Sequence, residues 1–233
     1  FAVFRSKILA WRKDVERFTW CWDYIRHACG LGAPMAFQYL LMNGAQVVST
    51  TIVAPLGNIA IAANSFAITA ESLCYMPGYG IGDAATTLIG QSVGARRADL
   101  CRSFAKMTVT TGMIVMALMG VVMYVFAPEM IGLLSPVDEI RTLGTEVLRI
   151  EAFAEPFFAA AIVSYSVCVG AGDTLRPSII NLGSMWFVRL TLAAAMAPHF
   201  GLRGVWVAMT IELTVRGLLF LWRIARGKWL KMD

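Results

Sequence analysis

The stretch VCVGAGDTLRPSIINLG, residues 167–183, lies between two apolar runs and holds the string Gly170-Ala171-Gly172-Asp173. Two readings compete for it. In a bilayer, a GxGD string can present the catalytic aspartate of an intramembrane protease, or it can be the turn joining two transmembrane helices. Protease chemistry needs two aspartates facing each other near mid-membrane, sharing a proton and activating water. Asp173 instead stands at the end of its apolar run, followed at once by Thr174, Arg176 and Pro177, and no Tyr-Asp or Pro-Ala-Leu string occurs elsewhere. Gly172 suits a helix stop, Asp173 or Thr174 can cap the next helix, and Pro177 fits its first turn. The turn reading wins, and with it a helical hairpin in place of an enzyme.

Working outward, 58% of the 233 residues are hydrophobic and only 15% charged, with mean hydropathy +0.66. Soluble domains run to about 45–50% apolar and about 25% charged. The excess is too large for a core and points to lipid as the solvent. A net charge of +5 would suggest nucleic acid in a soluble protein. Here the placement of the basic residues matters more, and no nucleic-acid partner is expected. The five cysteines lack metal spacing, and His27 and His199 lie far apart. Neither a metal site nor a disulfide framework follows. The first residue is Phe1 and no signal segment opens the chain, so the sequence reads as a piece of a longer polypeptide.

Six apolar runs approach the length of about 20 residues that crosses a bilayer; they fall at 31–54, 58–88, 104–127, 143–169, 177–198 and 203–223. Turn-forming strings separate them, including Pro55-Leu56-Gly57-Asn58, Ser135-Pro136-Val137-Asp138 and Pro198-His199-Phe200-Gly201. Runs of this length are too long for strands, and open sheet edges are not tolerated in lipid. The expected fold is therefore all-α: a polytopic bundle of six transmembrane helices over residues 30–226, with a basic tail at 227–233.

Charge sets the expected orientation. With the N-terminal segment inside, the loops after the second and fourth helices and the C-terminal tail are inside too. Those segments carry most of the 20 Lys and Arg, among them Arg12, Lys13, Arg96, Arg97, Arg102, Lys106, Arg176, Arg223, Arg226 and Lys228. The opposite side sets Arg141, Arg149 and Arg203 against Glu129, Asp138, Glu139 and Glu146. Basic residues collect on the cytoplasmic side, so both ends are expected there, in a multi-pass protein of the cell membrane. Residues 1–29 differ from the rest. Phe1, Phe4, Ile8, Trp11, Val15, Phe18, Trp22 and Ile25 recur at spacings of three and four, the period of an amphipathic helix. It suits the membrane surface or the underside of the bundle as a connector; the duller alternative is a short coiled-coil seam.

Ionisable residues within apolar runs are costly and mark function by default. Glu71 sits near the middle of the second run, with Tyr75 one turn on and Asp83 about three turns nearer the expected cytoplasmic end. Glu151 and Glu155 share a face of the fourth run, where Pro156 should kink it. Arg189, Glu212 and Arg216 read as structural charge pairs, since Glu before Arg at i+4 is a favourable helical pair. Glu71 and Glu155 have no cation within a turn at their own depth, so they are the candidates for binding and releasing a proton or a cation. The string Gly78-Tyr79-Gly80-Ile81-Gly82 follows no strand, so it reads as close helix packing beside a kink at Pro77 and not as a phosphate loop.

Three strings together resemble one family: ESLCYMPGYGIGDAATTLIGQSVGARRAD (71–99), YSVCVGAGDTLRPSIINLGSMWFVRLTLA (165–193) and GVWVAMTIELTVRGLLFLWRIARGKW (204–229). They look like the C-terminal half of the multidrug and toxic compound extrusion (MATE) transporters, with the likeness running over residues 28–230. The resemblance implies twelve helices in two six-helix bundles, opening alternately to each side of the membrane. It implies export of amphipathic, often cationic small molecules, driven by sodium ions or protons, with no other cofactor. The partners would be an N-terminal six-helix half of the same polypeptide, the bilayer and the small-molecule substrate. Helices one, two and four would line the cleft, with Tyr75, Asn43 and Gln46 as polar lining. Some branches carry a carboxylate on the first of these helices, where this chain has Gln38, Met42, Asn43 and Gln46. The rival functions are a flippase of the same superfamily for lipid-linked precursors and a non-transporting membrane assembly domain.

Overall fold

The computed structural model describes residues 22–230; the expected amphipathic connector falls mainly at 1–21, outside the described residues. Helices α1 (Trp22–Val53), α2 (Asn58–Gly94) and α3 (Ala98–Leu134) are followed by the shorter α4 (Asp138–Glu151) and α5 (Glu155–Gly170). Then come α6 (Leu175–Gly183), a wide π-helical stretch (Ser184–Arg189) and α7 (Leu190–Ala225). No strand occurs among the described residues. The all-α membrane fold expected from composition is thus borne out.

Small side chains decide how the helices meet. Along α2 the buried positions are Ala60, Ala63, Ala67, Ala70, Cys74, Gly78, Gly82 and Ala85, recurring every third or fourth residue. On α3 the matching stripe is Cys101, Ala105, Val109, Gly112, Met116 and Gly120. Lipid tails are as apolar as leucine, so membrane helices gain from close backbone approach more than from apolar burial as such. The large apolar residues point the other way: Leu118, Val121, Val125, Phe126 and Leu133 are all exposed on α3. A soluble protein would have the two sets reversed.

Two breaks shape the bundle. The expected fourth span, 143–169, is two helices, α4 and α5, bent by 59°. Pro156 lacks the N–H that would reach the Ala152 carbonyl and disfavours helical geometry at Glu155 before it. That carbonyl packs instead against α3, where a Cβ on Gly120 would stand 2.7 Å from it. The second break is at Gly201, with φ +59° inside α7. Around it Ser184 meets Glu212 and Arg189 meets Met209, so the chain reverses into an antiparallel hairpin. By length and composition, three helices among the described residues could cross a membrane (Asn58–Gly94, Ala98–Leu134, Leu175–Ala225), and the bent pair adds a fourth. The gap to the six expected spans has two causes. The Leu175–Ala225 segment folds back on itself, and α1 is diluted by Gln38, Asn43, Gln46, Ser49, Thr50 and Thr51. In addition, α1 runs through the expected 29/30 boundary without a break, and α2 runs unbroken through Pro77.

Turns 94–97 and 170–174 gather at one end of the bundle with residues 223–230, through an ion pair of Asp173 with Arg223 and a groove shared by Arg102 and Arg226. Arg203 pairs with Glu146 at 2.6 Å at the other end.

Candidate functional site

The GxGD turn closes with Gly172 at φ +78°. The Gly172 N–H donates to the Val169 carbonyl and the Asp173 N–H to the Cys168 carbonyl, the paired bonds of a Schellman stop. The expected caps are corrected. Thr174 makes no side-chain capping bond to α6. Asp173 turns to Arg223 at the far end of the chain instead, both side chains 11% exposed. A full carboxylate–guanidinium partner offers more than one backbone N–H at a helix start. Gly170 lies against the α2 backbone at Thr86, which leaves no room for a side chain, and Pro177 is buried in the first turns of α6.

The bends bring six charged side chains into one buried cluster: Glu71 on α2, Glu151 ending α4, Glu155 opening α5, Arg189 closing the π-helical stretch, and Glu212 and Arg216 on α7. All are buried. Glu212 is the best-partnered member: its Oε1 takes a 2.6 Å hydrogen bond from the Ser184 hydroxyl and an ion pair from Arg216 at 3.2 Å, while Oε2 meets no donor among the described residues. Glu151 interacts electrostatically with Glu71, Arg189, Glu155 and Glu212, and Thr210 donates to it at 3.4 Å. Glu155 also feels Glu71. It is 1% exposed, and neither carboxylate oxygen meets a hydrogen-bond donor among the described residues.

One expectation changes here. Glu71 does have a cation in reach, because the wide π-helical turn carries Arg189 towards it. Arg189 does not pair with Glu212; its guanidinium donates to the Met209 sulfur, a weak acceptor that leaves most of its charge available to Glu71 and Glu151.

Beside the cluster lies a cavity of about 340 Å³ between α1, α2 and α5, with Arg216 at its wall. Its lining includes Gln38, Tyr39, Tyr79, Asp83, Phe158 and Tyr165. Tyr75 is half-buried behind it, edge-on to Phe158 at 5.6 Å and to Tyr79 at 5.5 Å. Asn43 and Gln46 are not part of the wall. Both are exposed on α1, and the Asn43 amide donates to the Tyr39 carbonyl in its own helix. Gln38 and Met42 take the inward positions. The helical phase of α1 could have shown this, since Gln38, Met42 and the buried Ala45 share one face. The aromatic residues of the cavity were missed because an aromatic stripe in an apolar run usually means packing.

Fold and site together define a polytopic helical membrane protein with a charged, water-excluding core beside a polar cleft. Comparison with known proteins gives the family. The MatE family profile matches residues 34–195, and the chain belongs to that family. It is 26% identical over 212 residues to a probable multidrug resistance protein NorM of Thermotoga maritima, covering 90% of this chain and 46% of that protein. It is 24% identical over 216 residues to the multidrug resistance protein MdtK of Yersinia pestis, covering 90% and 47%. The crystal structure of the Vibrio cholerae MATE transporter VcmN in the bent form superposes with a TM-score of 0.82 at 16% identity, covering 95% of this chain and 51% of that one. The chain thus spans about half the length of the curated relatives it matches.

Proposed function

We propose that this chain is one six-helix half of a secondary active transporter that exports amphipathic cationic small molecules in exchange for sodium ions or protons. The observation that carries the proposal is Glu155: almost wholly buried, with no donor to either oxygen, in a cluster of four carboxylates and two guanidiniums. If all six were ionised, two negative charges would stay uncompensated in a low-dielectric core. Uncompensated buried charge is strongly destabilising, so the fold favours loading the cluster with protons or a small cation. The aromatic rings of the adjacent cavity and Asp83 on its wall would attract an organic cation, the Arg216 charge on the same wall being offset by Glu212.

In this scheme Glu71, Glu151 and Glu155 carry the coupling ion, with Arg189 the fixed counter-charge that tunes it. Glu212, Arg216 and Ser184 hold the frame. Loading by a proton or sodium ion and binding of the drug compete for the same negative charge, which is the requirement for exchange. A second bundle must supply the opposite wall, since alternating access works by one bundle rocking against another. The proposed partners are accordingly an N-terminal six-helix half, the bilayer and the substrate, with both ends of this chain cytoplasmic.

The test is Glu71→Gln in the full-length protein, with transport and melting temperature read on the same purified samples. Gradient-driven export should be largely lost while the fold persists, and Glu71→Asp should keep partial activity. Near-normal export by Glu71→Gln would end the coupling role. Loss of folding in both variants would make Glu71 a structural residue.

A further inference from the structure

A second cavity, of about 590 Å³, opens between the start of α3 and the end of α7, on a different face from the cleft. Its outer rim is basic: Arg102 and Lys106 from α3, Arg226 from α7. No carboxylate lines it, and none forms an ion pair with these three among the described residues. Arg226 lies over the ring of Trp222, 4.0 Å from its centroid, which fixes the guanidinium at the mouth. Below the rim the walls turn apolar, with Val109 and Met113 on α3 and Leu221 on α7. Met113 is eleven residues beyond Arg102, or about 16 Å further along the helix at 1.5 Å per residue. That reach is about half of a 30 Å hydrocarbon core.

The lower corner is built, not left over. Gly227, at φ +66°, ends α7 and turns the chain back so that Trp229 is buried, 1% exposed, with its indole N–H donating to the Ile224 carbonyl. Tryptophan and basic side chains at one helix end are the residues that sit at the headgroup level of a bilayer. Three unpaired cations above an apolar slot complement one ligand chemistry: an anionic head with a hydrocarbon chain beneath it.

We propose that this groove binds an acidic phospholipid, its phosphate held by Arg102, Lys106 and Arg226 and one acyl chain lying against Val109, Met113 and Leu221. Basic pockets between transmembrane helices on the cytoplasmic side take such headgroups. The bound lipid would tie α3 to the end of α7.

The full-length protein, purified in detergent, is titrated with phosphatidylglycerol or with phosphatidylcholine, and bound lipid is counted by native mass spectrometry. Phosphatidylglycerol should bind preferentially and survive a millimolar excess of inorganic phosphate. Each charge removed should lower its occupancy about fivefold, in Arg102→Gln/Lys106→Gln and separately in Arg226→Gln, with circular dichroism melting confirming the fold of each. Equal binding of the two lipids, displacement by inorganic phosphate, or unchanged binding in the folded Arg226→Gln variant would overturn the proposal. Equal binding would point to acyl-chain contacts alone, displacement to a free-anion site, and unchanged binding in the variant to a different lipid site. The result is independent of drug export, so failure here leaves the transport proposal standing.

Discussion

Asp173 and Arg223 meet at one end of the bundle, each side chain 11% exposed, and form an ion pair. Glu155 lies deeper, 1% exposed, and meets no donor among the described residues. The same chain therefore treats buried charge in two ways. At the turn it supplies an exact counter-charge, and the pair locks the α5–α6 turn to the end of α7. In the core it packs carboxylates in surplus over guanidiniums. Under the proposed exchange, the second set is the one that would carry the coupling ion.

The sharpest way to break this comparison is Glu155→Gln. It should cut exchange in proteoliposomes by roughly a hundredfold, the scale of losing a group that carries a proton. It should leave the melting temperature unchanged or higher, because an uncompensated charge has gone. A fall in melting temperature with transport intact would invert the assignment. The counterpart is Asp173→Ala, which strands the Arg223 guanidinium. Each side chain keeps some exposure, so the cost falls below the about 3–5 kcal/mol of breaking a fully buried pair; unfolding in denaturant should still shift measurably while transport per folded molecule persists.

A smaller effect probes the bend between α4 and α5. Gly120→Ala would place a Cβ 2.7 Å from the Ala152 carbonyl and 3.2 Å from the Glu155 Cβ. Overpacking of this kind costs about 1–3 kcal/mol, and because the bend positions Glu155, the cation dependence of transport should change along with stability. Stability loss with unaltered cation dependence would show that the bend only packs. The smallest effect belongs to the pair of Arg97 and Asp99, 2.8 Å apart with side chains 57% and 63% exposed. Exposed pairs contribute little to stability, so Arg97→Gln should leave the melting temperature within about a degree or two.

The helical class, the turn at Gly172 and the family were legible in the sequence because each depends on local pattern: apolar length, a glycine stop, contiguous strings. The i+4 spacing of Glu212 and Arg216 likewise announced their contact. What stayed hidden depends on long-range geometry. Asp173 reads locally as a cap, and nothing near it points to Arg223 fifty positions later. Arg189 looks like the partner of Glu212 on a regular hairpin; the π-helical turn at Ser184–Arg189 rotates it towards Glu71 instead. Asn43 and Gln46 were drawn into the site by polarity; helical phase turns Asn43 away from Gln38 and Met42, whereas Gln46 follows Met42 by four residues and its exposure was not legible in the spacing.

The break between α4 and α5 has an electrostatic consequence of its own. An unbroken helix would give Glu151 and Glu155 the same mid-helix surroundings. Instead Glu151 is the last residue of α4 and Glu155 the first of α5. Aligned peptide dipoles leave partial negative charge at a helix's carboxyl end and partial positive charge at its amino end. Two chemically identical side chains four positions apart thus sit in opposite fields: the carbonyl end beside Glu151 attracts a small positive ion, while the N–H end at Glu155 favours a bare carboxylate. One hinge in the backbone makes the two glutamates electrostatically unequal.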